Sequence, residues 1–243
     1  LNLLKKYLNE IILNSDNSTV YIIDNNSSDE SILYVRENYK EVKIISLDKN
    51  YGFAEGYNKG LKEVEEDYVC IINNDILVTK DWLDPIRRKF KKDPESIVQP
   101  TILDINNTEY FEYAGASGGF IDKYGYPFCR GRIFDTIEKD NGQYNDSKIF
   151  WASGACFFIS KNIFNKIGGF DKSFFAHMEE IDLCWRAFNL GYNSYSVTSS
   201  KVFHVGAATI KKDSRKIYLN YRNSLIMITK NIPLKSLLST LFI

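Results

Sequence analysis

The sequence predicts an α/β protein with a mostly parallel central sheet covered by helices on both faces. Two observations predict it. Short apolar runs that read as buried strands alternate with segments of helical period, and they do so at the spacing of strand–helix–strand units. No internal repeat or low-complexity linker interrupts residues 1–243, which points to one continuous domain.

The elements follow in order. Leu3, Leu4, Leu8, Ile11 and Ile12 recur at helical spacing, so residues 2–14 form an amphipathic helix. Val20 to Asp24 is a short buried strand, closed by the turn-rich run Asn25-Asn26-Ser27-Ser28-Asp29. A helix from about Glu30 to Tyr39 follows, with Ser28 or Asp29 as its cap. Val42 to Leu47 is a second strand, Ala54 to Val64 a helix, and Tyr68 to Asn73 a third buried strand. Asp81 to Lys92 is helical again, with Pro94 beyond its end, and Ile97 to Leu103 returns to strand. Residues 104–148 are polar, glycine-bearing, aromatic and without clear period, so they read as an excursion over the sheet. Order resumes at Phe150, with a strand from Ala155 to Ile159 and a helix from Lys161 to Ile167. An acidic helix then runs to Leu190, and strands lie near Tyr195 and Val202.

Bulk composition narrows the function classes. Lys plus Arg and Asp plus Glu both number 31, so no global field draws in nucleic acid or an anionic membrane. The four cysteines, Cys70, Cys129, Cys156 and Cys184, form no CxxC pair, and three sit in apolar segments. They read as buried free thiols, which fits a reducing cytoplasm. The segment from Tyr218 to Ile243 sets Arg222, Lys230 and Lys235 among apolar residues, the make-up of a helix at a membrane surface and equally of one that packs on a core.

The chemistry concentrates at three places. Phe174 to Arg186 carries Glu179, Glu180 and Asp182 at a helix start, just after Gly168-Gly169. Asp182 pairs naturally with Arg186 at i,i+4, but that leaves Glu179 and Glu180 beside an apolar run without partners. Close carboxylates repel, which raises one pKa and suits that group to act as a base. Asp24 and Asp75 stand at strand ends, where ligands of open α/β sheets bind. Asp75 is an oxygen donor for a hard cation holding a diphosphate, and Asp24 either accepts from a nucleotide or caps the next helix. His204 ends a late apolar run, while His177 neighbours the acidic pair. The glycines at 52, 56 and 60 do not match GxGxxG, which disfavours a dinucleotide-dependent oxidoreductase.

Taken in order, DNNSSDES (24–31), NYGFAEGYNKG (50–60), INNDI (72–76), ASGACFFISK (152–161), GGFDKSFFAHMEEIDLCWR (168–186), VFHVGAAT (202–209) and YRNSL (221–225) resemble glycosyltransferase family 2. Within that family the pieces are most similar to the rhamnosyltransferase-like group of bacterial polysaccharide enzymes, and they cover most of the chain outside 104–148. The resemblance implies a GT-A fold with a donor half at about 1–103 and an acceptor-side half at 104–243. It also implies inverting transfer, with Mn2+ or Mg2+, from a nucleotide-diphosphate sugar to a polysaccharide or lipid-linked sugar acceptor. Cysteine usage leads us to expect a cytoplasmic protein, and the C-terminal segment leaves two options open, peripheral contact with the inner face of the plasma membrane or a core-packing helix. Residue by residue, Asp24 matches the nucleobase contact, and Asn73-Asn74-Asp75 matches the DxD-type motif with Asp75 as cation ligand. Asn26, Asn50, Asn58, Asn73 and Asn74 fall on the donor side. Glu180 matches the base that deprotonates the acceptor, and His204 the late histidine that binds the cation or diphosphate. Trp151, Ser153, Gly154 and Asp182 fall on the acceptor side.

Two departures stand out. The family's acidic motif carries Asp where this chain has Glu180, so the longer arm shifts the carboxylate and makes Glu179 the alternative base. Family members also open with a hydrophobic strand before the first helix, which leads us to expect native residues before Leu1. Two rival readings remain at this stage: a sugar-phosphate nucleotidyltransferase, which would need a glycine-rich basic loop, and a catalytically silent sugar-binding domain.

Overall fold

The computed structural model describes residues 1–206 and 214–241. Helix α1 (Asn2–Leu13) and helix α2 (Ser31–Asn38) accompany strands β1 (Tyr21–Asp24) and β2 (Lys43–Ser46). The two strands pair in parallel, Tyr21 opposite Lys43 through Asp24 opposite Ser46. Leu8, Val35 and Val42 form a small core beneath them. The N-cap position of α2 is Glu30, not Ser28 or Asp29, and it makes no side-chain cap bond; Asp29 instead accepts from Ser31 N at 3.0 Å, a local turn contact at the helix start.

The main sheet is built from β3 (Tyr68–Ile72), β4 (Ile76–Val78), β5 (Ser96–Asp104), β10 (Ser147–Ile149), β11 (Cys156–Ser160) and β12 (Asn193–His204). Its order is β10-β12-β5-β11-β3, with β4 also on β12. Along β11, Phe157 and Ile159 enter one core and Cys156 and Phe158 the other, as the period of two requires for a strand covered on both faces. Over the first face lie α3 (Gly52–Gly60), α5 (Lys161–Lys166), α6 (Glu179–Asn189) and α7 (Ser214–Asn231). Against the second, α4 (Leu83–Lys92) lays Leu83, Ile86 and Phe90. A short helix, α8 (Leu234–Leu241), closes the described chain. Among the described residues no helix is long and apolar enough to cross a membrane.

The expected α/β architecture is present, but the sheet is mixed rather than mostly parallel. Within the six strands only β12 and β5 run parallel; β11 is antiparallel to both β3 and β5. An apolar run looks the same in either direction, so buried strands reveal their existence locally and their orientation only through partners. The two strands expected near Tyr195 and Val202 are one, with its register on β5 shifting between Val197 and Lys201. The period-free excursion also holds order. It contains the hairpin of β6 (Gly119–Ile121) with β7 (Pro127–Cys129), a second small pair, β8 (Arg132–Ile133) with β9 (Thr136–Ile137), and then β10. All four cysteines are free thiols, and three of them are buried.

Candidate active site

Registers fix where the chemistry gathers. The carboxyl ends of β3, β5 and β12 and the amino end of β11 all fall on one edge of the sheet. Asn73, Asn74 and Asp75 lie in the turn that follows β3, and Asn73 N donates to Ala155 O at 2.9 Å just before β11. Val205 N donates to Asp75 O at 3.1 Å, which ties the end of β12 to the same turn. His204 therefore arrives beside Asp75, with Nε2 3.1 Å from Oδ1. On its other side His204 Nδ1 is 3.5 Å from Oε1 of Glu112. Burial opposes a charged ring here, but the carboxylates of Asp75 and Glu112 outweigh it and raise the His204 pKa to about 9.

Helix α6 enters the same edge. The segment before it is held in an unfavourable path, with Phe175, His177 and Met178 all at positive φ (63°, 71° and 68°). What holds it is Asn223 on α7, whose Nδ2 donates to the carbonyls of Phe174, Ala176 and His177 at 3.0, 2.8 and 2.7 Å. Arg222 adds bonds to the Ser173 and Phe174 carbonyls. On the opposite side Phe53 N, at the start of α3, donates to Phe175 O at 2.7 Å. This clamp delivers Glu179 and Glu180 to the first turn of α6. A Cβ placed on Gly154 would sit 3.6 Å from the Glu180 carboxyl carbon, so Glu180 lies next to the residue preceding Ala155.

Both acids are shielded, and Oε2 of each lacks a partner in the described structure. Burial raises the Glu180 carboxyl to about 7, while the backbone N–H groups of Glu180, Ile181 and Gly154 pull the other way. Glu179 is pushed up further by burial and then by the neighbouring charge of Glu180. Burial thus favours the protonated form of both acids, and the pair, with Glu180 raised to about 7, is placed to take or release a proton.

The remaining expected residues divide. Asp24 accepts from Ser27 N at 3.0 Å, a turn contact that leaves its carboxylate half-exposed at the end of β1. Asn26, at φ 64°, belongs to that turn. Asn50 accepts from Gly52 N at 2.9 Å and so shapes the loop before α3. Asn58 is committed elsewhere: its amide donates to Phe170 O at 2.7 Å and accepts from Phe170 N at 2.9 Å, a clamp between α3 and the turn after Gly169. Trp151 is 6% exposed, packs on Gly119 and donates from Nε1 to Phe120 O, so it anchors the excursion. Ser153 is buried between Gln99 and Ala114, its N donating to Gln99 Oε1 at 2.7 Å and its Oγ to Ala114 O at 2.8 Å. Asp182 is fully buried, bonded by Arg186 Nε (2.8 Å), Lys230 Nζ (3.1 Å) and Asn231 Nδ2 (2.8 Å), which makes it the pin between α6 and α7. These contacts share one cause: polar residues near a site serve backbone carbonyls and amides as readily as ligands.

Three contributors escape sequence reasoning. Asn25 donates to Gly52 O at 2.8 Å and accepts from Tyr51 N at 2.8 Å, joining the end of β1 to the start of α3. Asn223 and Glu112 carry no local signal, although Asn223 lies within YRNSL. The last residues of VFHVGAAT, 207–209, lie outside the described residues.

Among the described residues no three His, Cys, Asp or Glu side chains close into a ready-made metal cage. Asp75 and His204 nevertheless fit a divalent cation. Asp75 Oδ1 is buried without a hydrogen-bond partner, with His204 Nε2 3.1 Å away, and one carboxylate with one imidazole suits a cation whose other ligands come from substrate phosphates.

Comparison with known proteins bears on the family and the fold. The model of the family described as Glycosyl transferase family 2 matches residues 1–168. A low-salt glycan biosynthesis hexosyltransferase of Haloferax volcanii is 25% identical over 209 residues, covering 83% of this chain and 64% of its own length. An inactive polypeptide N-acetylgalactosaminyltransferase-like protein of Macaca fascicularis is 27% identical over 227 residues, 91% of this chain and 50% of its own. An N-acetylglucosaminyl-diphospho-decaprenol L-rhamnosyltransferase of Mycobacterium tuberculosis is 23% identical over 80% of this chain and 69% of its own. The chain thus spans about half to two thirds of the length of these relatives. In three dimensions it is similar to GalNAc-T7, solved with UDP, GalNAc and Mn2+, at a TM-score of 0.71 and 15% identity, covering 93% of this chain and 45% of that one. The fold is GT-A.

Proposed function

Because the chain belongs to glycosyl transferase family 2, we propose that it transfers a hexosyl unit from a nucleotide-diphosphate sugar to an acceptor hydroxyl, with inversion at the anomeric carbon. The observation that carries this reading is the pairing on one sheet edge of an Asp75–His204 couple with a Glu180 carboxyl raised to about 7. Glu180 accepts the proton of the acceptor hydroxyl as that oxygen attacks the sugar and the diphosphate departs; Glu179, whose ionisation burial opposes, lies beside it. Asp75 and His204 hold Mn2+ or Mg2+, and when bound the cation supplies positive charge against the departing diphosphate. Asn73 and Asn74 flank the ribose and phosphates, and Asp24 meets the nucleobase. Gly154 leaves room beside Glu180 for the acceptor. In this reading residues 1–103 form the donor half and 104–243 the acceptor half of one domain. Rhamnose is the first donor sugar to try, and a polysaccharide or lipid-linked sugar the acceptor class. Ile217, Tyr218, Tyr221 and Leu225 are exposed on α7 and give it an apolar face suited to a cytoplasmic membrane surface.

The test is a thermal-shift screen of nucleotide sugars with and without Mn2+, followed by NMR of the product's anomeric configuration. A true donor stabilises the fold as RT ln(1 + [L]/Kd), and only with the cation present does the shift reach its full size. Retention of configuration, or equal shifts after chelation, overturns the corresponding part of the proposal. The inactive relative favours one second reading, a silent sugar-binding domain. Slow donor hydrolysis by the wild type, lost in Glu180→Gln, excludes it.

A further inference from the structure

Glu112 belongs to the excursion, yet the sheet places it. Its N–H donates to Ile102 O at 3.0 Å, and the bridge between Leu103 and Phe111 lays this stretch along the end of β5. Because β5 runs parallel to β12 with Asp104 opposite His204, the same contact sets Glu112 beside the His204 ring. The side chain is 5% exposed, and one oxygen, Oε2, is fixed by Ala114 N at 2.6 Å. The other, Oε1, stands 3.5 Å from His204 Nδ1. The backbone after His204 preserves this spot: Gly206, at φ 59°, would with any Cβ come within 2.9 Å of Glu112 Oε1.

We propose that Glu112 is a positioning residue that holds His204 by its Nδ1–H, so that Nε2 faces Asp75 and a divalent cation bound between them. This rests on the reading of Asp75 and His204 as cation ligands. The physical reason is the general one for metal-binding imidazoles: a carboxylate on the far nitrogen fixes both tautomer and ring orientation, and its loss lowers metal affinity. At 3.5 Å the two atoms stand in contact without a formed hydrogen bond, so each has the other as the nearest charged partner within reach. The role falls to a residue of the excursion, so this period-free segment completes the site from outside the order of strands and helices that precedes it.

The test measures Mn2+ binding by loss of the free-ion EPR signal in wild type, Glu112→Gln, Glu112→Ala and Asp75→Asn. Each variant is also tested for binding of a nucleoside diphosphate without cation, and for its melting temperature. In parallel, the Co2+-loaded proteins are examined by NMR for a hyperfine-shifted imidazole N–H that vanishes in D2O. With only two histidines in the chain, His177→Gln assigns it. The expected result is a 10- to 100-fold loss of Mn2+ affinity in the Glu112 variants, smaller for Gln, with cation-free nucleotide binding unchanged. The shielded N–H should be present in the wild type and lost in Glu112→Ala. Saturable Mn2+ binding that the Glu112 variants leave unchanged, or an N–H that survives in Glu112→Ala, overturns the role of Glu112 alone. A parallel fall in cation-free nucleotide binding overturns it too, since that marks a general disturbance. Absence of Mn2+ binding in the wild type, or full binding in Asp75→Asn, overturns the cation reading and Glu112's role with it.

Discussion

Replacing Glu180 with Gln should make the protein more stable and less active, by amounts the structure sets. The folded chain raises this carboxyl from an ordinary 4.5 to about 7 because burial penalises its charge. A group whose folded pKa is raised binds its proton more tightly in the native state. Its contribution is therefore fully favourable below about 4.5, declines as pH rises, and levels off above about 7. The separation converts to about 3 kcal/mol as a ceiling, and coupling to Glu179 adds in the same direction because removing one charge eases the other. Gln cannot ionise, so Glu180→Gln should match the wild type at pH 4.5 and exceed it by about 2–3 kcal/mol at pH 8. For a chain of this length that is roughly 4–12 °C in Tm. Transfer should fall by about 10²–10⁴-fold, the usual worth of a positioned base, with nucleotide binding nearly intact. Thermal melts at pH 4.5, 7 and 8 alongside donor turnover read all three. A stabilisation independent of pH, or none at pH 8, refutes the buried-acid argument. A wild-type rate refutes the assignment of the base.

Other substitutions test the scaffold around the pair. Asn223→Ala removes a donor from the carbonyls of Phe174, Ala176 and His177 in the strained segment before α6 and should cost about 2–3 kcal/mol in urea melts, with a loss of turnover larger than the loss of folded protein. Asp182→Ala leaves Arg186 and Lys230 facing a void and should cost about 3–5 kcal/mol; if the folded fraction instead shows only a raised acceptor KM, its acceptor-side role returns. Gly52→Ala must adopt φ 75° with a Cβ 2.5 Å from the Phe175 ring, so melts should drop by about 2 kcal/mol or more, and an unchanged Tm would show that the 173–178 loop gives way freely.

How much was legible follows from how far each signal travels along the chain. Residues 2–14 read as helix, and α1 spans Asn2–Leu13; Tyr68 to Asn73 read as strand, and β3 spans Tyr68–Ile72. Apolar period is a local property, so composition and spacing were enough for these elements and for the α/β class. The motifs at strand ends and at the start of α6 were legible as well, because acids beside apolar runs stand out in a list. Tertiary structure alone decided the direction of β11, since an apolar pentapeptide is the same read either way until β3 and β5 bond to it. It also decided which polar side chains serve the backbone. Asn58, Trp151 and Asp182 looked like ligand-facing residues, yet each is consumed by a partner more than a turn away, and Asn223 holds the path into α6 from 46 or more residues downstream. Glu112 meets His204 only because β5 and β12 lie side by side, and no spacing in the chain encodes that adjacency. Hydrophobic pattern thus selects the elements, while hydrogen bonds between distant segments, strong only once water is excluded, select which residues become the site.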